Sequence, residues 1–158
     1  AQWAFGRPNA SVIMAAFLHG SPYGQRFTSQ HLGAWYAAFD TMTCILEIAN
    51  GVRRELAVSG LTEHTGEHRI YVAELAGDFV DIRGTRPDLH DPESHAAGQA
   101  FGEAARASGA AGILYDSVRR PGHDCAVAYR PDLIGDPVQA EHFRLTVGLR
   151  GKVVAIGL

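Results

Sequence analysis

Many short apolar segments, set apart by glycine and proline turns, run through this sequence and leave room for few helices. Segments of this length with turn residues at both ends predict buried β-strands. We predict strands at residues 11–18, 33–39, 68–75, 79–83, 112–115, 124–129, 143–147 and 152–156. The third and fourth of these flank Gly77-Asp78, a pair typical of a hairpin turn.

Two longer segments carry the signals of helices. Asp40 can act as an N-cap for a helix over about 41–56. The apolar residues of that helix recur at the spacing of a core face: Met42, Ile45, Ala49 and Val52. Asp91-Pro92 predicts the start of a second helix, which runs to about Ala107 and stops at Gly109. Its predicted packing face consists of Ala97, Phe101, Ala104 and Ala105.

The two main helices do not alternate regularly with the strands, which favours an α+β fold over a doubly wound α/β fold. A length of 158 residues predicts a single compact domain over 1–158 with twisted sheets. The net charge of −3 argues against the broad basic surface of a nucleic-acid or polybasic membrane binder. We expect no membrane span, since no apolar run approaches about 18 residues.

The cysteines and the amino terminus indicate where the protein acts. Cys44 and Cys125 lie in apolar segments and are interpreted as reduced core residues. We therefore expect a cytoplasmic protein without a secretory signal. The chain does not begin with Met, so we expect that residues upstream have been removed or left out.

Candidate sites are few when the residues are considered one by one. His64 and His68 have the spacing of a zinc-binding pair, but Gly66 between them indicates a turn. A solvated loop is the better interpretation, and we expect no metal site. Glu47 shares a polar helix face with Arg54, which predicts a solvated glutamate. Ser117 lies in a glycine-bearing segment without a nucleophile-elbow motif, so its own context predicts a turn residue.

The order of several short motifs changes this interpretation. The first block comprises Gly24-Gln25-Arg26-Phe27-Thr28, Trp35-Tyr36-Ala37-Ala38 and Cys44-Ile45-Leu46-Glu47. The second block runs through residues 104–119 and ends in Ser117-Val118-Arg119. In this order the motifs resemble the RES domain, a bacterial family named for an arginine, a glutamate and a serine. The resemblance covers a motif-bearing core of about 12–133.

The resemblance implies an NAD⁺-consuming toxin of a bacterial toxin–antitoxin pair, with an architecture like that of ADP-ribosyltransferase toxins. It implies a site formed by Arg26, Tyr36, Glu47 and Ser117, with Phe27 beside Arg26 in the dinucleotide-binding set and Arg119 as a second candidate arginine. NAD⁺ would be the substrate, and ADP-ribose would pass to water, phosphate or a protein side chain. The implied partner is an Xre-like helical antitoxin; a homodimer within that complex is left open.

These residue types have the chemical properties that the cleavage of NAD⁺ requires. A carboxylate such as Glu47 can stabilise the positive charge of an oxocarbenium-like state. The guanidinium of Arg26 can hold a diphosphate bidentately. Tyr36 can stack on the nicotinamide cation. A hydroxyl such as that of Ser117 can hydrogen-bond to the ribose or the carboxamide.

Two positions depart from the family pattern. Gly51 stands where many members have a histidine, one helical turn after Glu47, and Thr28 replaces an asparagine or serine. The glycine keeps open an alternative, a non-catalytic module that binds NAD⁺ or another nucleotide. A third hypothesis is an effector delivered to competing bacteria.

Overall fold

The computed structural model describes residues 3–158 and has an α+β fold. Its α-helices are α1 (Ala10–Leu18), α2 (Thr41–Ser59) and α3 (Ala96–Ala107). Its strands are β1 (Trp35–Ala38), β2 (Glu63–Val72), β3 (Phe79–Asp81), β4 (Gly112–Asp116), β5 (Asp124–Ala128), β6 (Val138–Gly148) and β7 (Val153–Gly157). Short 3₁₀ helices occupy Pro87–Leu89 and Pro131–Leu133. None of the helices in this range has the length and apolar character needed to span a bilayer.

The first sheet has four strands in the order β1-β5-β4-β3. β5 pairs antiparallel with both β1 and β4, whereas β3 runs parallel to β4. The residues Cys125–Ala128 of β5 are all buried, as expected for a short apolar strand that is covered on both faces. This sheet holds the main core, in which Phe27 packs edge-on against Tyr115 with ring centroids 4.8 Å apart.

The second sheet is antiparallel, with the order β2-β6-β7. Its inner face carries Phe143, Leu145 and Val147 of β6, which pack against α2. Ile45 and Ala49 are the buried α2 residues in this contact. The predicted apolar face of α2 is thus confirmed at these two positions and at Val52, which is partly buried against the same cluster, whereas Met42 is 53% exposed.

Helix α2 begins and ends as its local sequence predicts. The Asp40 side chain accepts a hydrogen bond from the backbone N–H of Thr43, which confirms the N-cap. Gly60 ends the helix in the left-handed conformation, with φ 73°. The helix is therefore one turn longer than the predicted 41–56.

Helix α3 starts later than predicted, and its packing face is confirmed at Phe101 and Ala105 but includes residues that were not predicted. Asp91 accepts hydrogen bonds from the backbone N–H groups of Glu93 and Ser94, so it stabilises a turn before the helix. The buried residues of α3 are Gly98, Gly102 and Ala105, while Ala97 and Ala104 are exposed. The predicted face is wrong at those two alanines because the helix approaches the backbone of Arg26-Phe27 through its glycines.

Segment 11–18 was predicted as a strand and is instead α1, which makes a third helix. Ile13 and Met14 are buried in a cluster with Trp35, Ala128 and Ile134. Because nearly every residue of α1 is apolar, the segment has no helical periodicity by which a short helix could be told from a buried strand.

The predicted hairpin around Gly77-Asp78 is also wrong. β2 belongs to the second sheet and pairs with β6, whereas β3 belongs to the first sheet. Gly77 adopts a positive φ of 115°, so the chain does turn there, but it passes from one sheet to the other. His64, Gly66 and His68 lie within β2 rather than in a loop. The four strands predicted after α3 are confirmed as β4 to β7, although β6 begins earlier, at Val138.

Candidate active site

Glu47 and Ser117 meet although they lie far apart in the sequence. The Ser117 hydroxyl donates a hydrogen bond of 2.6 Å to Oε1 of Glu47. Glu47 lies on α2, and Ser117 directly follows β4. Ser117 is only 2% exposed and Glu47 is half-buried, so the expectation of a fully solvated glutamate is wrong. The side of α2 opposite its core face is turned toward the end of β4.

The turn after β4 fixes the orientation of the Ser117 hydroxyl. Its oxygen accepts a hydrogen bond of 3.0 Å from the backbone N–H of Arg120, and the backbone N–H of Ser117 donates to the carbonyl of His123. With an N–H donor on one side, the hydroxyl proton points to Glu47 on the other. This network orients a polar hydroxyl and a carboxylate at one place.

An ion pair joins this turn to the start of α2. Nη1 of Arg120 lies 2.6 Å from Oδ1 of Asp40, the N-cap of the helix that carries Glu47. Hydrogen bonds from Thr43, and then the charges of Arg120 and His123, lower the pKa of Asp40 to about 2. The Ser117 turn and α2 are thus linked at two points, through Glu47 and through Asp40.

Tyr36 lies on β1 and ties down the segment that contains Arg26. Its hydroxyl oxygen accepts a hydrogen bond of 3.0 Å from the backbone N–H of Phe27 and lies 3.2 Å from the Thr28 hydroxyl. Burial raises the pKa of Tyr36 to about 12, so the phenol is neutral at ordinary pH. The Phe27 side chain is 1% exposed and belongs to the core.

Arg26 is 8% exposed, an unusual degree of burial for an arginine. Its Nη1 donates to the backbone carbonyls of Leu89 and Asp91, at 3.2 and 2.8 Å. Burial lowers the pKa of Arg26, while the nearby negative charge of Glu47 opposes this shift. The structure therefore brings all four predicted side chains, Arg26, Tyr36, Glu47 and Ser117, into one neighbourhood.

Two further buried side chains, Tyr115 and Cys125, lie next to this site, and the sequence did not predict them as site residues. Burial raises the pKa of the Tyr115 phenol well above its usual range. Burial and the charge of Glu47 raise the pKa of Cys125 to about 12, which keeps the thiol protonated and unreactive. Their apolar sequence context gives no sign that both side chains lie near enough to Glu47 for its charge to raise their pKa values.

A cavity of about 380 Å³ borders the same serine. Its lining residues are Gly84, Thr85, Pro87, His90, Asp116, Ser117, Val118 and Pro121. Glu47, Arg26 and Tyr36 are not among them, so we define the candidate site by its hydrogen bonds and charges rather than by this cavity. Among residues 3–158, no group of three or more histidine, cysteine, aspartate or glutamate side chains is arranged to hold a metal ion.

Gly51 lies one turn beyond Glu47 on an open part of α2. A Cβ added at this position would have no atom within 4 Å, apart from the helix's own backbone and chain neighbours. The position where many RES proteins carry a histidine is therefore empty space here and is not filled by another side chain.

Comparison with known proteins identifies the family. The model of the RES domain matches residues 3–148, nearly the whole chain. A protein of Sinorhizobium fredii named "Uncharacterized protein y4oC" is 28% identical over 134 residues, which is 83% of this chain and 55% of that protein. The chain thus spans about half the length of this curated relative. With the match over 3–148, the chain belongs to the RES domain family, a family associated with toxin–antitoxin proteins that act on NAD⁺.

Proposed function

We propose that this protein is the toxin of a bacterial toxin–antitoxin pair and cleaves the nicotinamide–ribose bond of NAD⁺. The hydrogen bond of 2.6 Å between Ser117 and Glu47 is the observation that carries the proposal. It puts a half-buried carboxylate beside an oriented hydroxyl, with Arg26 and Tyr36 close by. Removing part of a carboxylate from water costs free energy unless the carboxylate is hydrogen-bonded, and the Ser117 hydroxyl gives Glu47 such a bond.

The reaction needs only one carboxylate. The C–N bond between ribose and nicotinamide breaks, its electron pair passes to the ring nitrogen, and neutral nicotinamide leaves. No general acid is required, because the leaving group takes up no proton. Glu47 stabilises the positive charge that develops on the ribose, as the second carboxylate does in glycoside cleavage.

The other residues bind and orient the dinucleotide in this proposal. Ser117 exchanges its hydrogen bond with Glu47 for one with the ribose or the carboxamide. The Tyr36 ring stacks on the nicotinamide cation, which a neutral phenol favours. Arg26 holds the loop that follows the 3₁₀ helix Pro87–Leu89 in place next to the substrate.

The acceptor of ADP-ribose decides the name of the enzyme. With water, the water oxygen forms the new bond to the anomeric carbon and one of its protons goes to solvent. Inorganic phosphate or a protein side chain can take the same place. An Xre-like helical antitoxin that covers the site is the proposed partner and would allow the host cell to tolerate the protein.

The test follows nicotinamide release from NAD⁺ by purified protein free of antitoxin. We expect Glu47→Gln to lower the rate by about 100-fold or more, the range seen when one charge-stabilising group is removed. The matched control is Glu55→Gln, an exposed glutamate on the same helix. A wild-type protein that releases no nicotinamide in buffer, in phosphate or in lysate would overturn the proposal. So would equal rates for the Glu47 and Glu55 variants.

Labelled NAD⁺ separates the acceptors. Free ADP-ribose indicates water, a phosphorylated ADP-ribose indicates phosphate, and label on a lysate protein indicates a transferase. NAD⁺ binding in calorimetry without turnover under any of these conditions, and without growth arrest on expression, would instead favour the non-catalytic module suggested by Gly51.

A further inference from the structure

Three arginines from three separate parts of the chain converge on the segment that joins the 3₁₀ helix Pro87–Leu89 to α3. Arg26 donates to the carbonyls of Leu89 and Asp91. Nη2 of Arg119, from the turn after β4, donates to the carbonyl of Pro92 at 2.7 Å. Nη1 of Arg54, from α2, lies 3.0 Å from Nδ1 of His95. We call the three arginines, together with His95 at the end of this segment, the arginine cluster.

The arginine cluster carries more positive charge than the carboxylates near it balance, since among the described residues its three guanidiniums face the negative charges of Glu47 and Asp91 only. Within 3–158, Arg26, Arg54 and Arg119 make no salt bridge with a carboxylate. Elsewhere in the molecule, arginines commonly have such a partner, as Arg83 and Arg120 do. Three like charges around one imidazole repel one another, which costs stability unless an anion joins them.

His95 adds a hydrogen-bond donor to the cluster rather than another charge. Since a guanidinium can only donate, Nδ1 of His95 must accept from Arg54, which leaves the proton on Nε2. Burial, and then the charges of Arg26, Arg54 and Arg119, lower the pKa of His95 to about 4. The neutral ring therefore presents one N–H group beside the guanidiniums.

Arg54 and Arg119 keep free N–H donors after they bind the segment. A guanidinium has five N–H donors, and Arg54 and Arg119 each have one hydrogen bond to the segment. Arg54 is exposed and Arg119 is half-buried, so solvent and ligands can reach them. Arg26 differs, because it is almost fully buried and one of its nitrogens serves two carbonyls.

The cluster lies next to the carboxylate of the proposed reaction. Arg54 follows Glu47 by seven residues, so it projects from the same side of α2 about 10 Å farther along the helix axis. Arg119 follows Ser117 by two residues, and Arg26 is close enough to Glu47 for the two charges to interact. A ribose bound at Glu47 with its 5′-substituent pointing toward Arg54 and Arg119 would place its diphosphate beside the arginines.

We propose that Arg54, Arg119 and the Nε2–H of His95 bind the diphosphate of the dinucleotide. This assignment rests on the proposed function and shifts the main diphosphate contacts from Arg26 to two arginines at the rim of the site. Arg26 serves as the positioning residue that fixes the segment on which the cluster is assembled. Guanidiniums suit a diphosphate because each can grip two oxygens at once.

The experiment measures binding of ADP-ribose, inorganic pyrophosphate and adenosine to the full chain by calorimetry. We expect Arg54→Gln and Arg119→Gln each to weaken ADP-ribose binding by about 10-fold or more, as loss of a hydrogen bond to a charged group does. Pyrophosphate binding should weaken likewise, whereas adenosine binding, which has no phosphate contact, should not change. Arg54→Lys should fall between the wild type and Arg54→Gln, because lysine keeps the charge but loses the two-pronged contact.

Arg150→Gln is the control, since it removes the same charge from an exposed position in the turn between β6 and β7. Urea unfolding of each variant shows whether a weaker affinity comes from loss of the fold. ADP-ribose affinity within twofold of wild type in both Arg54→Gln and Arg119→Gln overturns the proposal, as does wild-type protein that binds neither ADP-ribose nor pyrophosphate. If the two arginines prove necessary for binding but no nicotinamide is released, the anion site stands and the proposed reaction fails. If nicotinamide release depends on Glu47 but the arginine variants bind ADP-ribose as tightly as the wild type, the proposed reaction stands and the anion site fails.

Discussion

The two sheets of this protein differ in how completely they are covered, and the difference corresponds to two tasks. In the first sheet, β5 is buried along its length from Cys125 to Ala128. In the second sheet, only the face of β6 toward α2 is buried, while most of β7 is exposed. Strand β4 of the first sheet leads into the turn with Ser117, and the second sheet packs against α2, the helix that carries Glu47. The candidate site forms where a strand end from one sheet meets a helix supported by the other.

The largest expected effect is on the free energy of unfolding. It tests whether the packing of the second sheet against α2 contributes as much stability as the core of the first sheet. Ile113 in the first sheet and Leu145 in the second are both almost fully buried. We expect Ile113→Ala and Leu145→Ala each to lower the free energy of unfolding by about 2–5 kcal/mol, measured in urea. Ile156→Ala on exposed β7 should cost less than about 0.5 kcal/mol. A Leu145→Ala cost as small as that of Ile156→Ala would show that the second sheet does not support α2.

A smaller effect is expected where α3 rests on the segment with Arg26. A Cβ at Gly102 would collide with the backbone carbonyl oxygen of Phe27, and one at Gly98 with that of Arg26. We expect Gly102→Ala to lower the free energy of unfolding by about 1–3 kcal/mol, the usual cost of overpacking. It should also lower the affinity for NAD⁺, because the backbone of Arg26 and Phe27 is displaced. Unchanged stability and affinity would mean that α3 can shift without consequence for the site.

The dependence of the free energy of unfolding on acidic pH tests the lowered pKa of His95. The pKa of its ring is about 4 in the folded protein and about 6.5 when unfolded, so the unfolded chain binds more protons between these values. Stability therefore falls as the pH decreases from about 6.5 to about 4. The loss from His95 is about 1 kcal/mol once solvent screening of this partly exposed group is considered. We expect His95→Gln to flatten the profile in this window, as measured by urea unfolding at each pH; an identical slope in wild type and variant contradicts the assignment.

The smallest expected effect is a gain in stability. Gly51 lies in the interior of α2, and a Cβ there would contact nothing. We expect Gly51→Ala to raise the free energy of unfolding by about 0.5–1 kcal/mol through helix propensity and the unfolded chain. Gly51→His shows in addition whether the imidazole common in the family speeds nicotinamide release. A loss of stability in Gly51→Ala would indicate that the helix is less open here than the structure shows.

Local signals made much of the fold predictable. The cap at Asp40, the helix after it and the short apolar strands β4 and β5 depend on neighbouring residues, and the structure confirms them. Strand pairing depends on distant residues, which is why the hairpin around Gly77 was predicted wrongly. The glycines on the buried face of α3 were missed because glycine offers no apolar side chain to count, although it allows the closest backbone contact.

The candidate site was predictable in its parts but not in its contacts. The order of Arg26, Tyr36, Glu47 and Ser117 pointed to the RES family, and residues 3–148 match its model. No spacing rule joins Arg54 to His95, which lie 41 residues apart and meet only because α2 and the start of α3 fold together. Their meeting is a property of the tertiary structure, and so is the charge that gathers around them.

The contact between α3 and the backbone of Arg26-Phe27 has a consequence for genetics. Every missense change at Gly98 or Gly102 adds at least a Cβ, and that atom has no room at either position. If the protein arrests growth, a selection for cells that survive its expression should recover missense mutations at these two glycines as well as at Glu47. Gly51, which also lies within a helix but where an added Cβ would meet no atom within 4 Å, should contribute far fewer survivors.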